Sequence, residues 1–435
     1  MAKVDFDCIV VGAGPAGISA ALTMAKKGLS VAVLERGEYP GAKNISGGIL
    51  FSTVLKRLIP DFEKAAPLER HIVSRKYSLI SDDSEIGFEL KTQKWDTAPY
   101  NDSFTILRGK FDKWFAHKAE ENGVEIFTSI LAKQLIIENC RVVGVKTEPG
   151  GDEIRAFCVI DAEGANPILA KQAGLLGEFN TAAVGLGVKQ VISLPRNIIE
   201  ERFNIRNNQG KTIHYFGECV RGYYGGAFLY TNKESLSIGI VMLLSDLVES
   251  KLKINELLNE FIANPLVRNY LEGGKVEEYS AHLIPEGGYY ALPKRFVKDG
   301  FIIVGDAAGL VDASFYYEGS NLAMASGMFA AETVIEAKRK GDFSWQSLSE
   351  YEKKLKNSFV IKDLYKFRKM KKMFMEKPWI LNKYPEIFAD AAADFFKVSE
   401  TPKTVTEKDA FKRIKREIGL SDIIKTLWSF YKGTR

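Results

Sequence analysis

Only four cysteines, Cys8, Cys140, Cys158 and Cys219, occur in 435 residues, and no two of them stand in a Cys-x-x-Cys spacing. Neither a zinc site nor an iron–sulfur cluster can be assembled from such local spacing. Three of the four sit in or beside strand-like apolar runs, the pattern of buried, reduced thiols in a cytoplasmic protein. Histidine is as scarce: His71, His117, His214 and His282 are the four. With no nucleophile–base pair, metal-ligand cluster or paired carboxylates beside them, each reads as structural, so no catalytic side chain and no metal is expected. No run of about 18 apolar residues exists to span a bilayer. The N-terminus enters a strand-like run without a charged-then-apolar leader, so the expected place is the cytoplasm, with any membrane contact peripheral. Repeats and low-complexity segments are absent as well.

What is present is a globular composition, 46% hydrophobic, in a chain long enough for two intimately joined domains. Residues Val10 to Gly17 read Val-Val-Gly-Ala-Gly-Pro-Ala-Gly, and Glu35 closes a second apolar run, Ser30 to Arg36. The run from Cys8 to Gly12 has the β-branched look of a buried parallel strand, and Ile18 to Lys27 has helical spacing. The glycines therefore fall on a strand-to-helix turn. Gly12 permits the turn, Gly14 lets the backbone approach a pyrophosphate, and Gly17 lets the helix pack on the sheet. Ala13, Pro15 and Ala16 complete the loop, whose helix end offers N–H groups to an anion. Glu35, at about the expected ~20-residue offset, is placed to take a ribose hydroxyl.

Which dinucleotide binds is decided downstream. Residues Phe301 to Gly309 form another buried run ending in Gly305-Asp306, followed by a small-residue helix from near Gly319. NAD dehydrogenases need no such second element. In flavoproteins with two dinucleotide-type folds, an aspartate in this turn holds the ribityl chain of FAD, and the next helix N-terminus faces the pyrimidine end of the flavin. Between the two lies Val159 to Gly164, with Asp161 and Gly164 as the middle motif. FAD is the expected cofactor.

The fold class is accordingly α/β, a two-dinucleotide-binding-type FAD fold like that of glutathione reductase and the hydroxylases. The FAD-binding domain is expected to be discontinuous, over residues 1–80, 104–178 and 280–340. An inserted antiparallel α+β substrate domain takes 81–103 and 179–279, with strands near Val184 to Ile192, Tyr223 to Tyr230 and Leu236 to Met242, then a helix from Ile254 to Phe261. A helical, basic region takes 341–435. There, Lys362 to Lys377 holds seven basic and two acidic residues and Lys403 to Arg435 nine and four, so the rest of this +5 chain is near −5. Leu364, Phe367, Met370, Met373 and Phe374 recur at helical spacing in the first stretch; Phe411, Ile414, Ile418, Ile424, Leu427, Trp428 and Tyr431 do so in the second. Two basic amphipathic helices are expected, either solvated faces or a docking surface for an anionic membrane or an acidic protein. No nucleic-acid motif accompanies the charge, so no nucleic-acid partner is expected.

Four stretches, Gly41 to Gly48, Ile106 to Trp114, Ile284 to Lys294 and Phe315 to Gly327, resemble the electron-transfer flavoprotein:quinone oxidoreductases over nearly the whole chain. The likeness is greatest to short Fix-type members (FixC/EtfC), including the segments at Tyr384-Pro-Glu-Ile and Thr401-Pro-Lys. Long members end in a cysteine-rich cluster domain that this sequence lacks. The resemblance implies a complex with the α and β subunits of an electron-transfer flavoprotein and a small ferredoxin-like iron–sulfur subunit, splitting NADH electron pairs between ferredoxin and a membrane quinone. It places Gly12, Gly14, Gly17, Glu35 and Arg36 on the adenosine and pyrophosphate half of FAD. Arg108 and Ala132 join the cofactor-binding set, as do Asp161 and Gly164, although Ala162 and Glu163 separate these two where many flavin relatives have them adjacent. Gly305 and Asp306 lie at the ribityl chain, Gly319, Ser320 and Asn321 at the pyrimidine, and Lys43, Asn44, Ser46, Gly47 and Gly48 in a loop at the isoalloxazine. His282 or Tyr289 is placed to relay quinone protons. The rivals are a geranylgeranyl-reductase-like enzyme, an aromatic hydroxylase, and an electron-relay subunit without a substrate site. The hydroxylase pattern continues the Gly-Asp turn with histidine and proline, absent here.

Overall fold

The computed structural model describes residues 4–43, 48–98, 100–178 and 180–433. The chain divides into two compact units, Met1–Glu69, Asp102–Val184 and His282–Tyr365 forming the first, Arg70–Asn101, Gly185–Ala281 and Lys366–Arg435 the second.

The first unit is built on a parallel sheet. Its elements are β1 (Phe6–Val11), α1 (Pro15–Ala25), β2 (Val31–Glu35), α2 (Arg108–Glu120), β3 (Glu125–Thr128), β4 (Glu153–Asp161), β5 (Phe301–Ile303) and α3 (Ser320–Lys340). The spatial order β5-β4-β1-β2-β3 is parallel throughout. Strands buried on both faces read as continuous apolar runs, and Val31, Ala32, Val33 and Leu34 are all buried. The N-terminal part of β4 pairs antiparallel with the strand Arg141–Glu148, which pairs with Leu131–Glu138. Helix α1 starts at Pro15, three residues before the expected Ile18, because proline is tolerated in a first turn that has no N–H acceptor to serve. Strand order reverses at β1, with β2 and β3 added on one side and β4 and β5 on the other, which makes the carboxyl ends of β1 and β4 the crevice where ligands of open α/β sheets bind.

The second unit carries a sheet in the order Lys275–Pro285, Val184–Ser193, Ser235–Leu243, Gly225–Thr231, Gln209–Gly217, Leu68–Ile80, with Glu85–Lys91 paired to the last. One face holds a core including Ile213, Tyr215, Leu229, Ile238 and Ile240, closed by Leu257, Leu258 and Phe261 from the helix Ile254–Ala263. The expected boundary at residue 80 moves back to 69, because Leu68–Ile80 pairs in parallel with Gln209–Gly217 and so is drawn into this sheet. Nor is 341–435 a separate region: 341–365 belongs to the first unit and 366–435 to the second. The two expected basic helices are each broken. The first becomes Phe359–Lys366 and Met370–Glu376, where like charges at Lys366, Arg368, Lys369, Lys371 and Lys372 crowd helix neighbours. The second becomes Lys403–Ile418 and Leu420–Gly433, divided at Gly419 with φ +75. The side chain of Leu427 lies outside the described residues.

Candidate functional site

Within the first unit, the turns after β1, β4 and β5 lie side by side. Ala162 N–H donates to Val11 O at 2.8 Å, and Val304 N–H donates to Asp161 O at 3.0 Å. Gly12 has φ +103, and a Cβ there would stand 2.3 Å from Ala162 O, so only glycine lets the first two turns meet. Gly17 is as constrained, its Cβ position lying 2.0 Å from Gly12 O. Gly14 is different. Its φ of −78 suits any residue and nothing lies within 4 Å of its Cβ position, leaving an open concavity at the head of α1. Ala13 and Ala16 are buried behind it, and no side chain caps the helix.

Glu35 is buried, and its carboxylate is already engaged. Oε2 accepts the Ala13 N–H at 2.9 Å and Oε1 the Gly37 N–H at 2.6 Å. It thus braces the glycine turn from the neighbouring strand, leaving its remaining lone pairs for a sugar hydroxyl. Arg36 is exposed and acts electrostatically on Glu163. The chain leaving β3 passes the same corner, with Ile130 N–H donating to Glu35 O at 2.9 Å, two residues before the buried Ala132.

In the middle motif Asp161 is fully buried; Oδ1 accepts the Glu163 N–H at 3.0 Å, while Oδ2 has no partner. Burial, and then the charge of Glu163, push the Asp161 carboxyl well above the ordinary carboxylate range. Burial also raises Glu163, whose Oε2 accepts the Leu169 N–H at 2.8 Å. Gly164 has φ +82 with open space at its Cβ position. The residues separating Asp161 from Gly164 therefore have tasks of their own, Ala162 meeting Gly12 and Glu163 capping the short helix Ile168–Gln172.

At the end of β5, Gly305 has φ +58, its Cβ position lies 2.8 Å from Ala16 Cβ, and its N–H donates to Ser326 Oγ at 2.9 Å. Burial raises the Asp306 carboxyl, partly offset by the Arg108 guanidinium. Arg108, first residue of α2, donates from Nε and Nη2 to Asp112 Oδ1 and Oδ2, both at 2.9 Å. Burial opposes its charge, but Asp112 and Asp306 together hold it above its ordinary value. Arg108 and Asp306, nearly 200 residues apart in sequence, thus share one charged cluster.

Helix α3 begins at Gly319 without a side-chain cap, and Ser320 Oγ is buried without a partner. Asn321, expected beside a ligand, is turned to protein: Oδ1 accepts the Val54 N–H at 3.1 Å and lies 3.1 Å from Thr53 Oγ1, and Nδ2 donates to Glu318 Oε1 at 2.7 Å. Lys43 is exposed and Gly48 opens the strand Gly48–Phe51. Asn44, Ser46 and Gly47 lie outside the described residues. Two helix N-termini without caps, an open glycine concavity, and the unpartnered Asp161 Oδ2 and Ser320 Oγ suit a diphosphate joined to a polyol chain, and so fit FAD. Sequence reading missed Asp112, although its spacing of four from Arg108 on a helix was a legible signal.

In the second unit, Tyr223, Tyr224, Phe374, Met375 and Pro378 line an open cavity of about 370 Å³, with Arg221, Asp246 and Asn382 as polar groups. Burial raises the Asp246 carboxyl, with Ser245 and Lys371 opposing. His214, stacked 5.2 Å from Tyr77, is lowered to about 3 by burial and by Arg75, so it is neutral at physiological pH. Among the described residues no group of three or more histidines, cysteines and acids could hold a metal, and no helix is long and apolar enough to cross a membrane.

A family model described as FAD-dependent oxidoreductase matches residues 7–183, and one described as the ETF-QO/FixC family C-terminal domain matches residues 370–435. The chain is 40% identical to Protein FixC of Bradyrhizobium diazoefficiens over the full length of both. It is 38% identical to the probable electron transfer flavoprotein-quinone oxidoreductase YdiS of Escherichia coli, covering 98% of each. Among solved structures, a geranylgeranyl bacteriochlorophyll reductase-like protein from Thermoplasma acidophilum superposes with a TM-score of 0.73 at 22% identity, covering 97% of this chain and 98% of that one. The myxobacterial halogenase CndH superposes at 0.64 and 21%, covering 96% and 91%. At such identities the structures show a shared fold alone.

Proposed function

The chain belongs to the FixC/electron-transfer flavoprotein:quinone oxidoreductase family and is an FAD-dependent oxidoreductase; on that premise we propose that it carries electrons from a partner electron-transfer flavoprotein to a membrane quinone. In this reading the first unit is the FAD domain. The Gly12–Gly17 turn and α1 hold the pyrophosphate, with Glu35, Arg36 and the neighbouring Ala132 on the adenosine side. Asp161, Gly164, Gly305, Asp306 and Arg108 line the middle, and the head of α3 at Gly319 and Ser320, tied down through Asn321, faces the ring, as do Lys43 and Gly48. When bound, FAD takes up an electron pair and releases it singly or together. The chain's own groups bind and orient it.

The second unit is the quinone-facing domain. The open cavity walled by Tyr223, Tyr224, Phe374, Met375 and Pro378, with Arg221, Asp246 and Asn382 as its polar groups, falls in the volume range of a small-molecule site, and it is the observation that favours a quinone over a relay with no substrate site. The basic, amphipathic C-terminal helices carry exposed Phe411, Ile424, Trp428 and Tyr431 and dock on an anionic membrane from the cytoplasmic side. The partners are the α and β flavoprotein subunits and a small ferredoxin-like iron–sulfur subunit, with this chain on the high-potential branch of an NADH-dependent bifurcating complex.

The test is anaerobic stopped-flow reoxidation of the reduced protein by a soluble menaquinone analogue, alone and with the partner subunits. Rapid reoxidation supports the reading. Negligible reoxidation in both cases, with reduction of a prenyl lipid instead, replaces it with an isoprenoid reductase.

A further inference from the structure

We propose that Asp112 is a positioning residue for the cofactor site, fixing the orientation of the Arg108 guanidinium and seating the backbone at Gly41. The starting point is a pair that breaks two local rules. Arg108 is the first residue of α2, with no acidic residue in that turn, so a cation stands where the helix dipole is positive. Within the pair the cation also precedes the anion by four residues, the less favourable order on a helix. Helix stability therefore does not account for the pair. Local rules are broken where a site needs a group in one place.

The geometry says which place. Asp112 is 1% exposed, and both its oxygens accept from one edge of the guanidinium at 2.9 Å, a planar fork that fixes orientation as well as distance. A buried carboxylate needs such pairing, and the guanidinium so held is the one that acts on Asp306. Asp112 also meets the chain entering the Gly41–Gly48 loop. Gly41 has φ +92, and a Cβ there would lie 2.9 Å from Asp112 Cβ and 3.2 Å from Arg108 O, so the backbone at Gly41 packs directly on the first turns of α2. One side chain thus sets the position of a cation and of the backbone at Gly41.

This rests on the reading that FAD lies in the cradle, and the experiment separates the two. Asp112→Asn, which keeps the shape and removes the charge, is expected to weaken FAD binding about tenfold. It also raises the midpoint potential of the bound flavin, because removing a negative charge favours the reduced, more anionic form. Arg108→Lys, which cannot make the planar fork, weakens binding in the same direction, and Asp112→Asn adds little in that background. Unchanged FAD affinity and potential in folded Asp112→Asn, or strict additivity in the double variant, overturns the proposal. If Asp112→Asn fails to fold, Asp112→Glu, which keeps the charge, is read instead: its potential stays at the wild-type value while FAD affinity falls, and unchanged affinity overturns the proposal. Retention of FAD by Gly14→Val removes the cradle reading itself, whereas loss of FAD there with normal Asp112→Asn removes only the role of Asp112.

Discussion

Replacing Gly14 separates the cradle from the fold more cleanly than any other change. With φ −78 and nothing within 4 Å of its Cβ position, Gly14 accepts a side chain without strain, so Gly14→Val loses only helix-cap preference, about 1 kcal/mol. The side chain fills the concavity at the head of α1, where Ala16 and Gly17 present the first-turn N–H groups, Pro15 having none. Hydrogen bonds from such groups to a charged phosphate contribute roughly 1.5–3 kcal/mol each. Losing two removes about 3–6 kcal/mol, a rise in the FAD dissociation constant of about a hundredfold to about ten-thousandfold. Gly14→Ser is the sharper companion, because serine caps helices well and its hydroxyl would take the N–H groups that the pyrophosphate needs. Its apoprotein is expected to melt at or above the wild-type temperature while FAD affinity falls. Fluorescence titration with FAD and thermal melting of apoprotein measure both. A folded Gly14→Val protein binding FAD within tenfold of wild type would refute the assignment of this turn to the pyrophosphate.

Gly12→Ala should instead damage the fold, since φ +103 and a contact of 2.3 Å with Ala162 O combine strain of about 1–3 kcal/mol with a backbone clash; apoprotein unfolding in urea as stable as wild type would disprove the turn-on-turn packing. Burial raises the Asp161 carboxyl pKa in the folded protein above the ordinary aspartate value, so its contribution is fully present below that ordinary value and is lost as pH rises through the folded pKa. Asp161→Asn, which cannot ionise, should therefore match wild-type apoprotein near pH 4 and become progressively more stable than it toward pH 8; a pH-independent difference in urea midpoints would contradict this. Cys140 is exposed and Cys8, Cys158 and Cys219 are buried, so a thiol reagent should modify one cysteine rapidly in the native protein and all four after denaturation. Rapid native modification of Cys8 or Cys158, located by peptide mapping, would mean that the β1–β4 core opens.

The parts of the site legible in sequence are those made by short-range geometry. A strand, a glycine turn, a helix and an acid at the end of the next strand occupy about 30 residues, and their spacing carries their arrangement. Asp306 was legible for the same reason, standing at the end of a buried apolar run before a small-residue helix. Groups whose roles depend on distant partners were not. The strand Leu68–Ile80 looks like the rest of the first unit until its parallel partner Gln209–Gly217 is known, and parallel pairing leaves no hairpin turn to announce it. Asn321 stands beside Gly319 and Ser320 in sequence, but the helix turns it toward Thr53 and Val54. In the basic C-terminal stretches the apolar period was read correctly as helical, and Gly419 was passed over as a break.

The same small residues that join the two longest-range parts of the first unit also fix where its helix ends point. Gly327 of α3 lies against α1 so closely that a Cβ there would be 2.0 Å from Ala16 O, and Ser19 Oγ donates to Met324 O at 2.7 Å. Gly305 meets Ala16 Cβ from the turn after β5. Ala16, inside the Gly12–Gly17 turn, is thus contacted by both the turn after β5 and α3. Because α1 and α3 are locked at this point, the heads of both helices, each carrying about half a positive charge, stay fixed relative to the Gly12, Asp161 and Asp306 turns. Preorganisation of this kind lets a charged ligand bind without first paying to order its site. Coupling follows from the same contact. Widening the α1–α3 junction, as Gly327→Ala would, moves the helix heads apart, so it lowers apoprotein stability and FAD affinity together, in contrast to Gly14→Ser, which lowers affinity alone.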